Sequence, residues 1–276
     1  MKKYLKMIGN IILYLGSMYF TSFIVVLAIR ILINLGVMNK SDSRWMFENS
    51  GMGLLIIALL TIPLYLLIFK LKRKSFIDFC EIKPINLRNS ILLLAIALCM
   101  GVFTTSLTSL PLVLEKFPEA NNMIDVFMGK GSFILGLLSS VLIVPAFEEI
   151  LFRGLIFNEL KKNMALPIAF LIQGTIYALS QPNLIAIIFG FIGGSIFTLS
   201  YIWVKSLWAP IILQTSSCFF MMIFRRLGVH QMFRSCGEIP MIIFILVATL
   251  GITYIMILIR KDYKVLETKY NNNQFV

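Results

Sequence analysis

Residues 133–154 read FILGLLSSVLIVPAFEEILFRG, and the reading of that stretch decides the fold. Fourteen residues from Phe133 to Ala146 carry no charge, and then two carboxylates and an arginine arrive within seven positions. An ionisable group at membrane depth is costly, so it is generally paired or turned inward, and it marks a candidate functional site. On a helix Glu149 and Arg153 stand four apart and can pair on one face, while Glu148 points about 100° away. One carboxylate is held by a cation and its neighbour is left for chemistry. The plainer alternative is an ion-pair cluster in the headgroup region.

Working outward, the whole chain has the composition of a membrane protein. It is 59% hydrophobic and 14% charged over 276 residues, with a mean hydropathy of +0.89, which is too apolar for a soluble domain. Eight apolar runs can be counted against the roughly 17 to 25 residues needed to cross hydrocarbon. They are Met7–Leu35, Gly53–Phe69, Ile91–Leu114, Phe133–Phe157, Met164–Ser180, Leu184–Val204, Leu207–Phe224 and Ile239–Ile259. The expected fold is all-α, a polytopic membrane protein of about eight transmembrane helices with a polar intramembrane cavity lined by the fourth, fifth and seventh. An even count puts both termini on one side. With the N-terminus in the cytoplasm, 16 of the 25 Lys and Arg fall inside and 7 outside, with Arg30 and Arg153 within helices. That asymmetry predicts a multi-pass plasma-membrane protein with cytoplasmic N- and C-termini. The net charge of +12 is then a topology signal and an attraction to the lipid bilayer, and nucleic acid is not expected as a partner.

The Lys-rich start resembles a signal peptide, but its apolar stretch is too long and no small-residue cleavage site follows, so a retained helix is expected. The first three helices read as scaffold. Arg30 is either a buried counter-ion for Glu148 or, the better reading, a side chain that snorkels to the interface. Lys70 to Arg88 reads as a basic loop that fixes topology, and Glu115 to Lys130 as an external connection with a short surface helix. The tail after Arg260, ending in Asn271-Asn272-Asn273-Gln274, reads as disordered. The four cysteines form no disulfide framework, with Cys80 in a loop, Cys99 and Cys218 in helices and Cys236 on the outer side. CxxC and HxxH spacings are absent and His230, the single histidine, falls in an outer loop, so neither a metal nor another cofactor is expected.

From Phe133 to Phe224 polar residues recur inside apolar helices. If the chain turns near Asn163, Glu148 lies 15 residues before the turn and Gln181 18 after it. At 1.5 Å per residue both are then roughly 22 to 27 Å from the turn, so an antiparallel hairpin lets them meet. Gln214 follows in the next polar helix, with Cys218 four residues on and on the same face. Buried amides need partners, because an unsatisfied polar group in hydrocarbon costs on the order of a few kcal/mol. Each glutamine taken singly also fits interhelical glue, worth ~1 kcal/mol.

These residues resemble a known family. Glu148-Glu149-Ile150-Leu151-Phe152-Arg153-Gly154 looks like EExxFRG, the first motif of the CAAX-protease and bacteriocin-processing proteins, the CPBP or Abi family that contains the type II CAAX prenyl endopeptidases. Tyr177-Ala178-Leu179-Ser180-Gln181-Pro182-Asn183 is similar to the second motif, an aromatic residue with His four positions later. Ser206-Leu207-Trp208-Ala209-Pro210-Ile211-Ile212-Leu213-Gln214 is similar to the third, Ser-Leu-Trp-x-Pro leading to His and, four on, Asn. Here both histidines are glutamine, Gln181 and Gln214, and the asparagine is Cys218. The resemblance implies an intramembrane endopeptidase with Glu148 as general base, Glu149 and Arg153 as its support, and Gln181, Gln214 and Cys218 at the remaining catalytic positions. Glutamine moves no proton, yet it can orient water and donate to an oxyanion.

Two functions follow as expectations. One is CAAX-type hydrolysis of a peptide bond in a membrane-associated protein or peptide precursor by glutamate-activated water. The other is a non-catalytic pseudoprotease that binds a peptide or membrane partner, as a bacteriocin-immunity or regulatory scaffold. A small-solute transporter ranks last, because paired Gly- or Pro-broken helices are lacking. The organisation expected is 1–130 for the first three helices, 131–226 for the protease-like core, and 227–276 for the last helix and tail.

Overall fold

The computed structural model describes residues 2–42, 51–118 and 132–272, and among them every regular element is a helix. We number them α1 (Lys2–Asn34), α2 (Met52–Leu71), α3 (Phe76–Phe79), α4 (Leu87–Ser109), α5 (Pro111–Lys116), α6 (Phe133–Lys161), α7 (Leu166–Leu179), α8 (Leu184–Val204), α9 (Trp208–Arg226), α10 (Val229–Cys236) and α11 (Glu238–Asn272). All eight apolar runs are helical, and α1, α2, α4, α6, α8 and α11 are long and apolar enough to cross a membrane. The protein is therefore an all-α, multi-pass membrane protein. The other two fall short for physical reasons. At 14 residues α7 is about 21 Å long, and α9 has its apolar run broken by Gln214, Thr215, Ser216 and Ser217.

Helix boundaries follow local chemistry. Pro167 and Pro210 sit early in α7 and α9, where their missing N–H groups cost nothing. Asn183 caps α8 by accepting from the Ala186 amide at 2.9 Å. Lys205 adopts a left-handed conformation, φ 56°, which stops α8 and turns the chain into α9. α6 is the irregular one. Its turns are π-helical over Leu137–Ile143 and Ile150–Phe157, on either side of Pro145, which has no N–H to give to the turn before it. Widened turns of this kind are frequent at functional sites, and here they flank Glu148 and Glu149.

Two apolar cores flank α6 to α9. One joins α1, α2, α3, α6 and α7 through Tyr14, Tyr65, Phe69, Phe79, Leu155 and Phe157; Tyr65 donates its hydroxyl to Tyr14 O at 3.0 Å and stacks on Phe147. The second joins α4, α8, α9 and α11 through Leu93, Ile96, Phe197, Leu213 and Met256.

Several expectations change. The 70–88 segment is more than a topology signal. α3 and its flanks turn their carbonyls inward, where Phe79 O accepts from Asn158, Cys80 O from Tyr201, and Glu81 O from the Leu207 amide. Cys80 is fully buried, and its burial pushes the thiol up to about 12. His230 lies on a helix, α10, rather than in a loop, and Cys236 is the last residue of the same helix. α11 runs on to Asn272, since Lys261 to Tyr270 has neither Gly nor Pro and is rich in helix formers, so only 273–276 of the expected disordered tail lie outside the described residues. Most of the expected external connection, 119–131, also lies outside them; Pro111–Lys116 is a short helix. Arg30 is exposed, in line with snorkelling rather than with a buried counter-ion.

Candidate active site

Arg153 is the fixed point. It is fully buried, and it donates to Glu149 Oε1 at 2.8 Å, to Gly194 O at 2.8 Å and to Thr198 Oγ1 at 3.2 Å. Its guanidinium lies 4.4 Å from the centre of the Tyr177 ring, a cation–π contact strengthened by the absence of water. Thr198 passes its own hydroxyl proton to Gly194 O at 2.8 Å or to Gln173 Oε1 at 2.9 Å. α6, α7 and α8 are thus tied at one level by a single cation. The pairing of Glu149 with Arg153 expected from their spacing is present.

That arrangement hands Glu148 to the cavity. Gln214 Nε2 donates to Glu148 Oε2 at 2.7 Å, and the Tyr177 hydroxyl lies 3.5 Å from the same oxygen and 3.5 Å from Gln214 Nε2. A carboxylate oxygen, an amide and a phenol meet at one point. Gln214 is 6% exposed, and its Oε1 has no hydrogen-bond partner among the described residues. Gln181 approaches in a different manner from that expected. It lies in the turn after α7, donates to Tyr177 O at 3.4 Å, and joins Glu148, Gln214 and Cys218 in the wall of the same cavity. The hairpin brings Gln181 to the site, but the α7 residue that reaches Glu148 is Tyr177, one turn earlier.

The cavity holds about 510 Å³. Beyond the expected fourth, fifth and seventh helices it takes walls from α1 at Met18, Tyr19 and Ser22 and from α2 at Leu54 and Ile57. The first helices are therefore part of the site as well as scaffold. A second cavity of about 230 Å³ lies on the other side of Gln181, Gln214 and Cys218, between α4, α8 and α9. Two close approaches need glycine. A Cβ on Gly194 would stand 2.7 Å from the Tyr177 ring and 3.0 Å from Arg153 Nη2. One on Gly154, the last residue of the EEILFRG run, would stand 3.2 Å from the Cys80 sulfur and 3.3 Å from Leu207.

Sequence reasoning missed Tyr177, Gln173, Gly194 and Thr198 as members of the site. Tyr177 had a signal, as the aromatic that opens Tyr177-x-x-x-Gln181. Thr198 and Gly194 had only a faint one, a small and polar pair four apart in α8.

In this polytopic membrane fold a carboxylate, an amide and a phenol meet beside one cavity. The comparison with protein families is more particular: the model described as Rce1-like, Type II CAAX prenyl endopeptidase Rce1-like, matches residues 130–220. That segment, which is similar to the type II CAAX prenyl endopeptidase family, includes every residue of the site from Glu148 to Cys218. No curated protein and no solved structure matches the chain.

Proposed function

We propose that the chain is a Glu148-dependent intramembrane endopeptidase of the CAAX-processing type, acting on a peptide bond in a membrane-associated protein or peptide precursor. The observation that carries the reading is the convergence of Gln214 Nε2 and the Tyr177 hydroxyl on Glu148 Oε2. In the reaction Glu148 takes a proton from water, and the hydroxide attacks the scissile carbonyl carbon. The oxyanion that forms receives the Gln214 and Tyr177 donors. Glu148 then gives its proton to the leaving amine, so that one new carboxyl and one new amine result. General-base help is worth about 10²- to 10⁴-fold, and one oxyanion donor about 10²- to 10³-fold. Gln181 and Cys218 line the cavity where the peptide would lie, and Glu149 with Arg153 fixes the backbone that carries Glu148. Of the two carboxylates, Glu149 is bound to Arg153, so Glu148 is the single acid turned to the cavity. The excess of Lys and Arg on one side supports a plasma-membrane setting with both termini in the cytoplasm.

A second reading rests on the same 2.7 Å contact. Gln214 already occupies Glu148 Oε2, and neither Gln181 nor Gln214 can exchange a proton. This favours a pseudoprotease that binds a peptide or partner without cleaving it, as an immunity or regulatory scaffold. Terminal-peptide mass spectrometry of membranes from cells expressing wild type or Glu148→Gln at matched levels separates the two. Chain ends that vanish in Glu148→Gln are expected from the peptidase. Identical ends at full coverage of membrane precursors overturn it in favour of the scaffold.

A further inference from the structure

Away from Glu148, a groove of about 410 Å³ runs along α4, α8 and α11. Its walls are apolar, among them Phe103, Phe189, Ile196, Trp203, Ile252 and Met256. Two polar side chains of its α11 wall are satisfied locally: Thr249 donates to Ile245 O at 2.7 Å and Thr253 to Thr249 O at 2.8 Å. Among the described residues one charged side chain lines the groove, that of Arg260. It is exposed, with its guanidinium 5.9 Å from the centre of the Trp203 ring. The acid two residues on, Asp262, is bound to Arg88 at 3.1 Å, which leaves Arg260 able to receive an anion.

The dimensions match one lipid leaflet. From Thr249 to Arg260 is 11 residues of helix, about 16 Å, close to half of a hydrocarbon core about 30 Å thick. Arg260 and Trp203 close the groove at one end, and both residue types favour the membrane interface. From these features we infer that the groove seats an anionic phospholipid, with its phosphate on the Arg260 guanidinium beside Trp203 and an acyl chain along α4, α8 and α11. Arginine suits this because its planar fork matches phosphate oxygens in pairs. Met100, Phe189 and Gly193 separate this groove from the smaller cavity beside Gln214 and Cys218, so the acyl chain would form part of the outer wall behind the candidate site. The lipid site stands whether or not Glu148 is hydrolytic.

Native mass spectrometry of the detergent-purified, delipidated full chain tests it, with phosphatidylglycerol and phosphatidylcholine of identical acyl chains. About fivefold tighter binding of phosphatidylglycerol is expected, as one arginine near an anionic headgroup provides. Arg260→Lys, which keeps the charge but loses the paired fork, should keep part of that preference and Arg260→Gln should lose it. Ile252→Trp, which fills the groove and leaves Arg260 in place, should lower occupancy by both lipids. Equal binding of the two lipids to the wild type, or an unchanged preference in Arg260→Gln, overturns the selection of an anionic headgroup by Arg260. Undiminished binding in Ile252→Trp overturns the groove as the seat.

Discussion

Arg153 makes three hydrogen bonds, one of them its ion pair with Glu149, and lies over the Tyr177 and Phe197 rings without any exposure to solvent. A buried pair of this kind is weak as a source of net stability, but removing one partner strands the other charge at a cost of about 3–5 kcal/mol. Arg153→Met should therefore lower the thermal midpoint in detergent far more than Glu149→Gln with Arg153→Met together, and a double variant no better than the single would refute the pairing argument. Gly194 is tested separately. Gly194→Ala puts a methyl 2.7 Å from Tyr177, an overpacking worth about 1–3 kcal/mol. The peptidase reading expects its Glu148-dependent cleavage to fall further than stability does, because the displaced ring carries the phenol. Cys80 gives a pH signature. The folded protein holds its proton up to about 12, against an ordinary 9.0. A raised acid of this kind stabilises the fold fully below 9 and loses that contribution as pH rises toward 12. The wild type should lose more thermal stability than Cys80→Ser between pH 9 and 12, and parallel melting curves would remove the claim.

At the scale of elements, the site depends on a segment that sequence reading assigned to topology alone. Asn158 on α6 donates to Phe79 O at 2.9 Å and approaches the Tyr201 hydroxyl at 2.6 Å, and Ser206 donates to Lys83 O. The 72–86 loop is thereby stitched to α6, to α8 and to the start of α9, the helix that delivers Gln214. Asn158→Ala leaves buried carbonyls without a donor, which costs about 1–3 kcal/mol. Its first visible effect should be faster tryptic cutting at Lys72, Arg73 and Lys74, before any global melting; unchanged cutting would show that the loop is held by packing alone. This is also where legibility ended. Helix existence followed from apolar runs and proline positions, and the Glu149–Arg153 pair followed from a spacing of four. The loop carbonyls did not, because a backbone acceptor leaves no mark in the sequence. Neither did the π-helical turns of α6, whose i to i+5 bonds shift side chains from the directions that 3.6 residues per turn would give. That shift is one reason why residues of the site beyond the motif pairs had to be found by contact.

At the scale of the whole molecule, the fold was legible because membrane insertion constrains sequence so strongly. Long uncharged runs have few outcomes other than a spanning helix, and α7 and α9 escaped the simple length and hydropathy criteria because one is short and the other carries the polar residues of the site. Orientation is a separate matter, set by where cations lie relative to the bilayer. The 16 to 7 division of Lys and Arg predicts that both termini and the 72–86 loop share the cytoplasmic side, with Lys40 and α10 opposite. This can be checked in intact cells by impermeant thiol labelling. On a background with Cys80, Cys99, Cys218 and Cys236 replaced, a cysteine at Lys40 or Arg234 should label without permeabilisation, and one at Lys74 or Lys261 should label only after it. The opposite pattern would invert the protein, and it would place Arg260 and its groove in the outer leaflet. Labelling of Lys74 and Lys261 on different sides would mean an odd number of crossings. One of the two shorter helices, α7 or α9, would then lie within the membrane without traversing it, leaving Gln181 or Gln214 to reach Glu148 from a helix that enters and returns.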